Sequence, residues 1–212
     1  MAALTRRVAK ALLGVLALAC ASASPVSIET LPGPGPGIRV ERIAVPPPLM
    51  DPRARAIEPD AVQMIGSRLV EALAAQGEIA YVAPDEVEIW LSGHGLSLRD
   101  ADPQRLGGEL AQAFGVDAVL FCVVRRYRSR VGGPHGAMRP AAVSFDLELR
   151  LPDGARIWAG SFREEQKSLA EDLLSLPRAW ERGFEWLDAP SLAAFGAREL
   201  VGVLAEERRR WK

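Results

Sequence analysis

The chain has 212 residues, of which 49% are hydrophobic and 25% are charged, and its formal net charge is -1. This composition is typical of an ordinary globular protein. It argues against a nucleic-acid-binding protein, which relies on a positively charged surface. The length is sufficient for one domain with a substantial hydrophobic core.

The chain begins with a predicted signal peptide, residues 1–19. A basic start precedes an apolar run that is shorter than the roughly 20 residues of a membrane span. Two cleavage sites fit this segment. Either Cys20 becomes the first residue of a mature lipoprotein and is acylated on its sulfur, or a plain secretory signal is cut after Ala21 or Ala23. We favour lipidation of Cys20.

Residues 20–37 are predicted to form a tether, because a Pro-Gly-Pro-Gly-Pro-Gly repeat occupies positions 32–37. This composition disfavours a packed structure. The glycines precede the first predicted strand, so they do not form a dinucleotide-binding fingerprint. A lipid on Cys20 followed by a tether would hold a folded domain, residues 38–209, at a distance from a membrane.

The hydrophobic periodicity of the first half of that domain predicts alternating strands and helices. In chain order these are a strand, a helix, a strand and two helices, at 38–45, 60–76, 78–82, 84–92 and 103–114. Gly77 and Asp102 are suited to end the first helix and begin the third. Residues 118–124 are apolar at every position, which predicts a strand buried on both faces.

The most regular alternation lies in residues 142–166 and predicts a β-hairpin. Val143, Phe145 and Leu147 share one face of its first arm with two further leucines, and charged residues occupy the other face. The turn at 152–155 contains Pro-Asp-Gly, which favours a tight reversal. The return arm is predicted to lie at an edge or flank of the sheet.

The last predicted helix begins after Asp188 and leads into a charged tail, residues 206–212. The segment from Leu169 to Trp186 is an irregular apolar flank. We interpret it as a lid over the sheet in preference to a set of partner anchors. The order of elements predicts an α/β (α+β) fold, with a mixed β-sheet flanked by helices in a single domain with a C-terminal helix.

The sequence contains no catalytic motif. His94 and His135 lie in separate glycine-rich loops and are interpreted as solvated residues. Cys122 lies in an apolar run and is interpreted as a small buried hydrophobe without a disulfide partner. The carboxylates at 164, 165, 171 and 172 are interpreted as a solvated face. We therefore predict no catalytic, metal or cofactor-binding residue, and no enzyme.

One electrostatic feature is a candidate surface. Arg126, Arg128 and Arg130 are predicted to lie on one face of a strand that leaves the core, with Arg125 and Tyr127 on the other. Anionic lipid headgroups or an acidic patch on a protein are better candidate partners than nucleic acid. Ordinary solvation of a protruding strand is the alternative.

Several segments resemble bacterial envelope lipoproteins. The segments are the leader ending in cysteine, the Pro-Gly repeat, Arg42-Ile43-Ala44-Val45-Pro46, the junction 114–120 and the strand ending at Phe162. The similar proteins include the curli-secretion lipoprotein and the outer-membrane lipoprotein activators of penicillin-binding proteins. The resemblance covers residues 38–166 and implies a mixed sheet flanked by helices, and it transfers no functional residue.

The sequence-based hypothesis is a non-enzymatic bacterial protein attached to the membrane through a lipid, including palmitate, on Cys20. It would bind another cell-envelope component as an assembly or activation factor. Ala21 is not the aspartate that marks inner-membrane retention in enteric lipoproteins, which favours the periplasmic face of the outer membrane. The alternative is a subunit of an oligomeric secretion or trans-envelope complex, with the chain as a homo-oligomer.

Overall fold

A computed structural model describes residues 24–54, 57–99, 101–133, 136–165 and 187–211, with the backbone alone for 136 and 137. From Pro25 onward these residues belong to one compact unit, Pro25–Gln166 with Trp186–Lys212. The strands are β1 Val26–Glu29, β2 Arg42–Ala44, β3 Leu49–Met50, β4 Ala80–Val82, β5 Ala118–Arg128, β6 Val131–Gly133, β7 Gly136–Arg139, β8 Ala142–Arg150 and β9 Arg156–Glu165. The helices are α1 Ala61–Gln76, α2 Pro84–Gly93, α3 Pro103–Phe114 and α4 Ala189–Arg210.

Seven strands form one mixed sheet in the order β1-β9-β8-β5-β2-β4, and β3 also pairs with β5. The strands β2, β3 and β4 are parallel to their neighbours. The pairs β5–β8, β8–β9 and β9–β1 are antiparallel. The predicted fold class is therefore confirmed, and β6 and β7 form a separate two-stranded hairpin.

Strand β5 separates two hydrophobic clusters. Its residues Leu120, Cys122 and Val124 pack in the cluster that includes α1 and α4. Val119 and Phe121 point into the other cluster, with α2 and α3. The prediction of a strand buried on both faces is confirmed, because helices cover both sides of this part of the sheet.

The predicted alternation of β8 is also confirmed. The side chains on one face, among them Val143 and Phe145, are buried. Ser144, Asp146 and Glu148 on the other face are only half-buried. Gly154 has φ of +85° in the turn, and a Cβ there would collide with Gln104 of α3. Glycine is therefore required at this position for both its conformation and its space.

The return arm, β9, is not at the edge of the sheet, contrary to the prediction. Val26 of β1 pairs with Phe162 of β9, and Ile28 pairs with Gly160, so β1 is the outer strand. The side chains of Val26 and Ile28 are half-buried against the core. Residues 26–29 thus belong to the folded unit, although they lie within the segment 20–37 predicted as a tether. A four-residue strand is stable here because β9 offers its free edge and a hydrophobic face.

The ends of the helices follow the sequence signals. The carboxylates of Asp102 and Asp188 accept hydrogen bonds from the backbone N–H groups of Gln104 and Ser191, as expected of N-caps. Gly77 ends α1 in the left-handed conformation. Residues 206–212 are predicted to form a charged tail after the last helix. This prediction is wrong for 206–210, because α4 continues to Arg210 and packs against the sheet.

Other boundaries differ from the predictions. The strand predicted at 38–45 is reduced to β2, while β3 lies between that predicted strand and the helix predicted at 60–76. The hairpin of β6 and β7 lies in the glycine-rich loop predicted around His135. These strands are two to four residues long, which is too short for a period-2 pattern to be recognised.

Candidate interaction site

The arginine run at 125–130 emerges from the core where β5 ends. A β-bulge interrupts the pairing of β5 with β8 between Val124 and Arg126. A bulge places one extra residue on the strand, so the alternation of faces shifts by one residue after it. Arg125 and Arg126 consequently both make ion pairs with outward-facing carboxylates, whereas Tyr127 is buried. The prediction that Arg125 shares a face with Tyr127 is therefore wrong.

Two of the predicted arginines converge on one carboxylate. The guanidinium groups of Arg126 and Arg128 donate to the two carboxylate oxygens of Glu165, at 2.6 and 2.7 Å. Arg128 also donates to the backbone carbonyl of Pro140 at 3.2 Å and is only 19% exposed. The hydrogen bond from Arg128 is the main cause that lowers the pKa of Glu165. The two arginines therefore connect the end of β5 with the start of β8 and the end of β9.

The third predicted arginine lies slightly apart. Arg130 follows the end of β5 and is half-buried. The carboxyl of Asp188, the N-cap of α4, has a pKa lowered first by its hydrogen bond with Ser191 and further by the charge of Arg130. Arg130 therefore extends the charged cluster from the sheet towards the start of α4.

We call this region the hairpin end of the sheet. It is the end at which β5 finishes at Arg128, β8 begins at Ala142 and β9 finishes at Glu165. The hairpin of β6 and β7 leaves the sheet here, and it carries Met138, which is 89% exposed, and Val131, which is 42% exposed. Sequence reasoning missed this apolar hairpin because the Gly/Pro content of 131–140 indicated a loop.

A second set of charged side chains covers the outward face of β8 and β9. Arg125 bridges Asp51 and Asp146, and it lies 2.7 Å from the latter. Glu148 pairs with Arg156 and with a neighbouring arginine on its own strand. The side chains border an open depression of about 430 Å³. Because each carboxylate already faces a guanidinium group, this face is polar but nearly neutral.

The residues with chemical reactivity do not form a site in the described part of the chain. His94 ends α2, where its Nδ1 lies 2.8 Å from the Trp90 carbonyl oxygen and its ring stacks on Trp90. Cys122 is buried, and burial raises the pKa of its thiol well above the usual range. Among the described residues no group of three or more His, Cys, Asp or Glu side chains is placed to hold a metal ion.

Several sequence-based predictions concern residues outside the described ranges. They are the signal peptide at 1–19, lipidation of Cys20, solvation of His135 and of the carboxylates at 171 and 172, and the lid formed by 169–186. The described chain leaves the sheet at Glu165 and resumes at Leu187, close to the start of α4. No helix among the described residues combines the length and apolar composition needed to cross a membrane.

One buried polar residue escaped the sequence analysis. Arg208, in the last turn of α4, is 8% exposed and donates to the backbone carbonyls of Val40 and Glu78 at 3.1 and 2.7 Å. Arg209, its neighbour, pairs with the Glu78 carboxylate at 2.6 Å and is exposed. Arg208 joins α4 to the chain before β2 and to the chain before β4. Its position in a run of charged residues gave no signal of burial.

Comparison with known proteins gives matches among solved structures. No family model and no curated protein matches the chain. PelC from Paraburkholderia phytofirmans, a dodecamer, is similar with a TM-score of 0.50 and 17% identity, over 83% of this chain and 93% of that one. Lipoprotein GNA1162 from Neisseria meningitidis has a TM-score of 0.44 and 21% identity, over 67% and 95% of the two chains.

The C-terminal domain of LpoB from Escherichia coli is also similar, with a TM-score of 0.40 and 20% identity, over 62% of this chain and 88% of that domain. At such identities the similarity concerns the fold. The mixed sheet flanked by helices that the resemblance implied is confirmed by the structure, and PelC shares this fold over 83% of the chain.

Proposed function

We propose that this chain is a non-enzymatic, lipid-anchored protein of the bacterial envelope that binds another envelope component as an assembly or activation factor. The observation that carries the proposal is the predicted leader, with its basic start, its apolar run and a cysteine at position 20. The leader ending at Cys20 supports the envelope location and the anchor. The described charged side chains of the sheet face hold one another in ion pairs, which suits a binding surface better than a reaction centre.

A second candidate function is a subunit of an oligomeric secretion or trans-envelope complex. The dodecameric state of PelC favours it, because that structure shares its fold with most of this chain. The native mass of the full-length protein in mild detergent, corrected for bound detergent, separates the two. A discrete multiple of the mass of the mature lipidated chain favours the oligomeric complex. A monomer favours the activation factor.

The membrane anchor has its own test. Replacing Cys20 by alanine should release the protein from the membrane fraction into the soluble periplasmic fraction. Cys122→Ala is the matched control, because it removes the other cysteine of the chain from a buried site and should leave membrane association unchanged. Unchanged association of the Cys20→Ala protein would contradict the anchor. Separation of inner and outer membranes on a density gradient tests the proposed outer-membrane location.

A further inference from the structure

Only a short length of chain separates the proposed anchor from the domain. The chain joins the sheet at Pro25, whose carbonyl oxygen accepts a hydrogen bond of 2.8 Å from the Arg163 backbone N–H. Five residue-to-residue steps connect Cys20 to Pro25, and they span at most about 18 Å. If Cys20 carries a lipid, as the proposed function states, the domain is therefore held close to the membrane.

The anchored segment enters the domain at one particular end of the sheet. Arg163 lies two residues before the end of β9, so the chain enters the domain at the hairpin end of the sheet. Three strand spacings separate β1 from β5, which is about 14 Å. Because the hairpin of β6 and β7 connects β5 to β8, its base lies within a short distance of the anchored segment.

The hairpin end of the sheet exposes apolar side chains beside an arginine. Met138 and Val131 expose apolar side chains on the hairpin, and Arg139 beside them is exposed. Long-range charge attraction contributes little, because Glu165 faces Arg126 and Arg128, Asp188 lies near Arg130, and Glu58 accepts hydrogen bonds from Ser129. An exposed methionine flanked by an arginine suits the boundary between lipid headgroups and acyl chains.

We infer that the hairpin end of the domain rests on the bilayer into which the lipid of Cys20 is inserted, with Met138 in contact with the lipid surface. The inference rests on the proposed function, because it requires the lipid anchor. It also gives the Pro-Gly repeat at 32–37 a different role from a tether. The repeat connects β1 to β2 within the domain and does not separate the domain from the membrane.

The test uses the full-length lipidated protein in vesicles of phosphatidylethanolamine and phosphatidylglycerol. Met138→Cys is labelled with an environment-sensitive thiol-reactive fluorophore. Cys122 is buried with its thiol protonated, so it does not take up the label. Ile89→Cys is the matched control, because Ile89 is also an exposed apolar residue, at 73%. It lies on α2, which packs against the N-terminal half of β5, far from the hairpin end.

With vesicles, the label at 138 should show a blue-shifted emission, quenching by a nitroxide-bearing lipid and a loss of quenching by iodide in the water. The label at 89 should remain accessible to iodide and keep its emission maximum. Equal behaviour of the two labels on protein that floats with the vesicles would refute the inference. Protection from iodide without quenching by the nitroxide lipid would also refute it, because protein would then cover Met138. Protein that fails to float with vesicles would overturn the anchor as well.

Discussion

Gly196 lies where α4 approaches the sheet most tightly. A Cβ at this position would lie 2.5 Å from ring atoms of Phe162, a side chain that is fully buried. Phe145 and Phe195 flank that ring, with centroid distances of 5.6 and 6.1 Å. Because a protein interior is packed about as densely as an organic crystal, the ring cannot move aside without displacing its neighbours. Gly196→Ala therefore overpacks this contact.

Two opposing effects determine the magnitude for Gly196→Ala. Replacing glycine by alanine inside a helix stabilises it by about 1 kcal/mol, whereas overpacking of a core costs about 1–3 kcal/mol. The cost for Gly196→Ala lies at the upper end of that range, because the new Cβ would lie only 2.5 Å from a ring that cannot move aside. We therefore expect the free energy of unfolding to fall by about 2 kcal/mol.

Gly202 of the same helix provides the control, since a Cβ there would meet nothing within 4 Å. Gly202→Ala should raise the free energy of unfolding by about 1 kcal/mol, because only the helix propensity changes. The two variants thus make the same chemical change and differ only in what the new methyl group contacts.

The assay is urea and thermal unfolding followed by far-UV circular dichroism, in full-length protein carrying Cys20→Ala in every sample. For a chain of this size, about 1 kcal/mol shifts the midpoint by about 2–4 °C, so Gly196→Ala should lower it by about 4–8 °C and Gly202→Ala should raise it by about 2–4 °C. A Gly196→Ala protein as stable as its parent would refute the packing of α4 on β9 described above. So would shifts of the same sign for both variants.

Three further predictions follow from buried and paired side chains. Arg208→Ala should lower the free energy of unfolding by about 1–3 kcal/mol because two backbone carbonyls lose a charged donor, whereas Arg209→Ala removes a solvent-exposed ion pair and should cost much less; equal losses would contradict the burial of Arg208. The Cys122 thiol should react with a disulfide reagent only after denaturant is added, and reaction in the native protein would contradict its burial. The pKa of Glu165 is lowered in the folded protein, so its carboxylate stabilises the fold at pH values above its ordinary pKa of about 4.3. This contribution disappears as the pH falls through the lower pKa of the folded state. Glu165→Gln should therefore reduce the thermal midpoint at neutral pH and leave it little changed in strong acid, and an equal decrease at both pH values would contradict the ion pairs.

Much of the domain could be predicted because its signals are local. The alternation in β8, the apolar run in β5 and the caps of α3 and α4 each depend on residues within one or two turns of each other. Cys122 was predicted to be buried from the apolar residues on either side of it. Local periodicity and capping act before any long-range contact exists, so they can be recognised in the chain itself.

The candidate site was harder to predict, because it depends on register. The bulge after Val124 puts Arg126 on the outward face together with Arg125, and it exists only as a mismatch between two paired strands. Glu165 is 37 residues away from Arg128, and nothing in either neighbourhood marks them as partners. The sequence indicated an arginine surface, whereas the structure shows that two of its members are already paired.

The sequence by itself determined the class of fold, most helices and the long strands of the sheet, because these follow from periodicities of two and 3.6 residues. Only the tertiary structure decided that Val26–Glu29 joins the sheet and that Arg208 is buried. Each depends on a partner more than 100 residues away, since Ile28 pairs with Gly160 and Arg208 donates to Val40. A short strand or a single arginine has no stable position of its own. It acquires one when distant segments supply a free strand edge or an unpaired carbonyl.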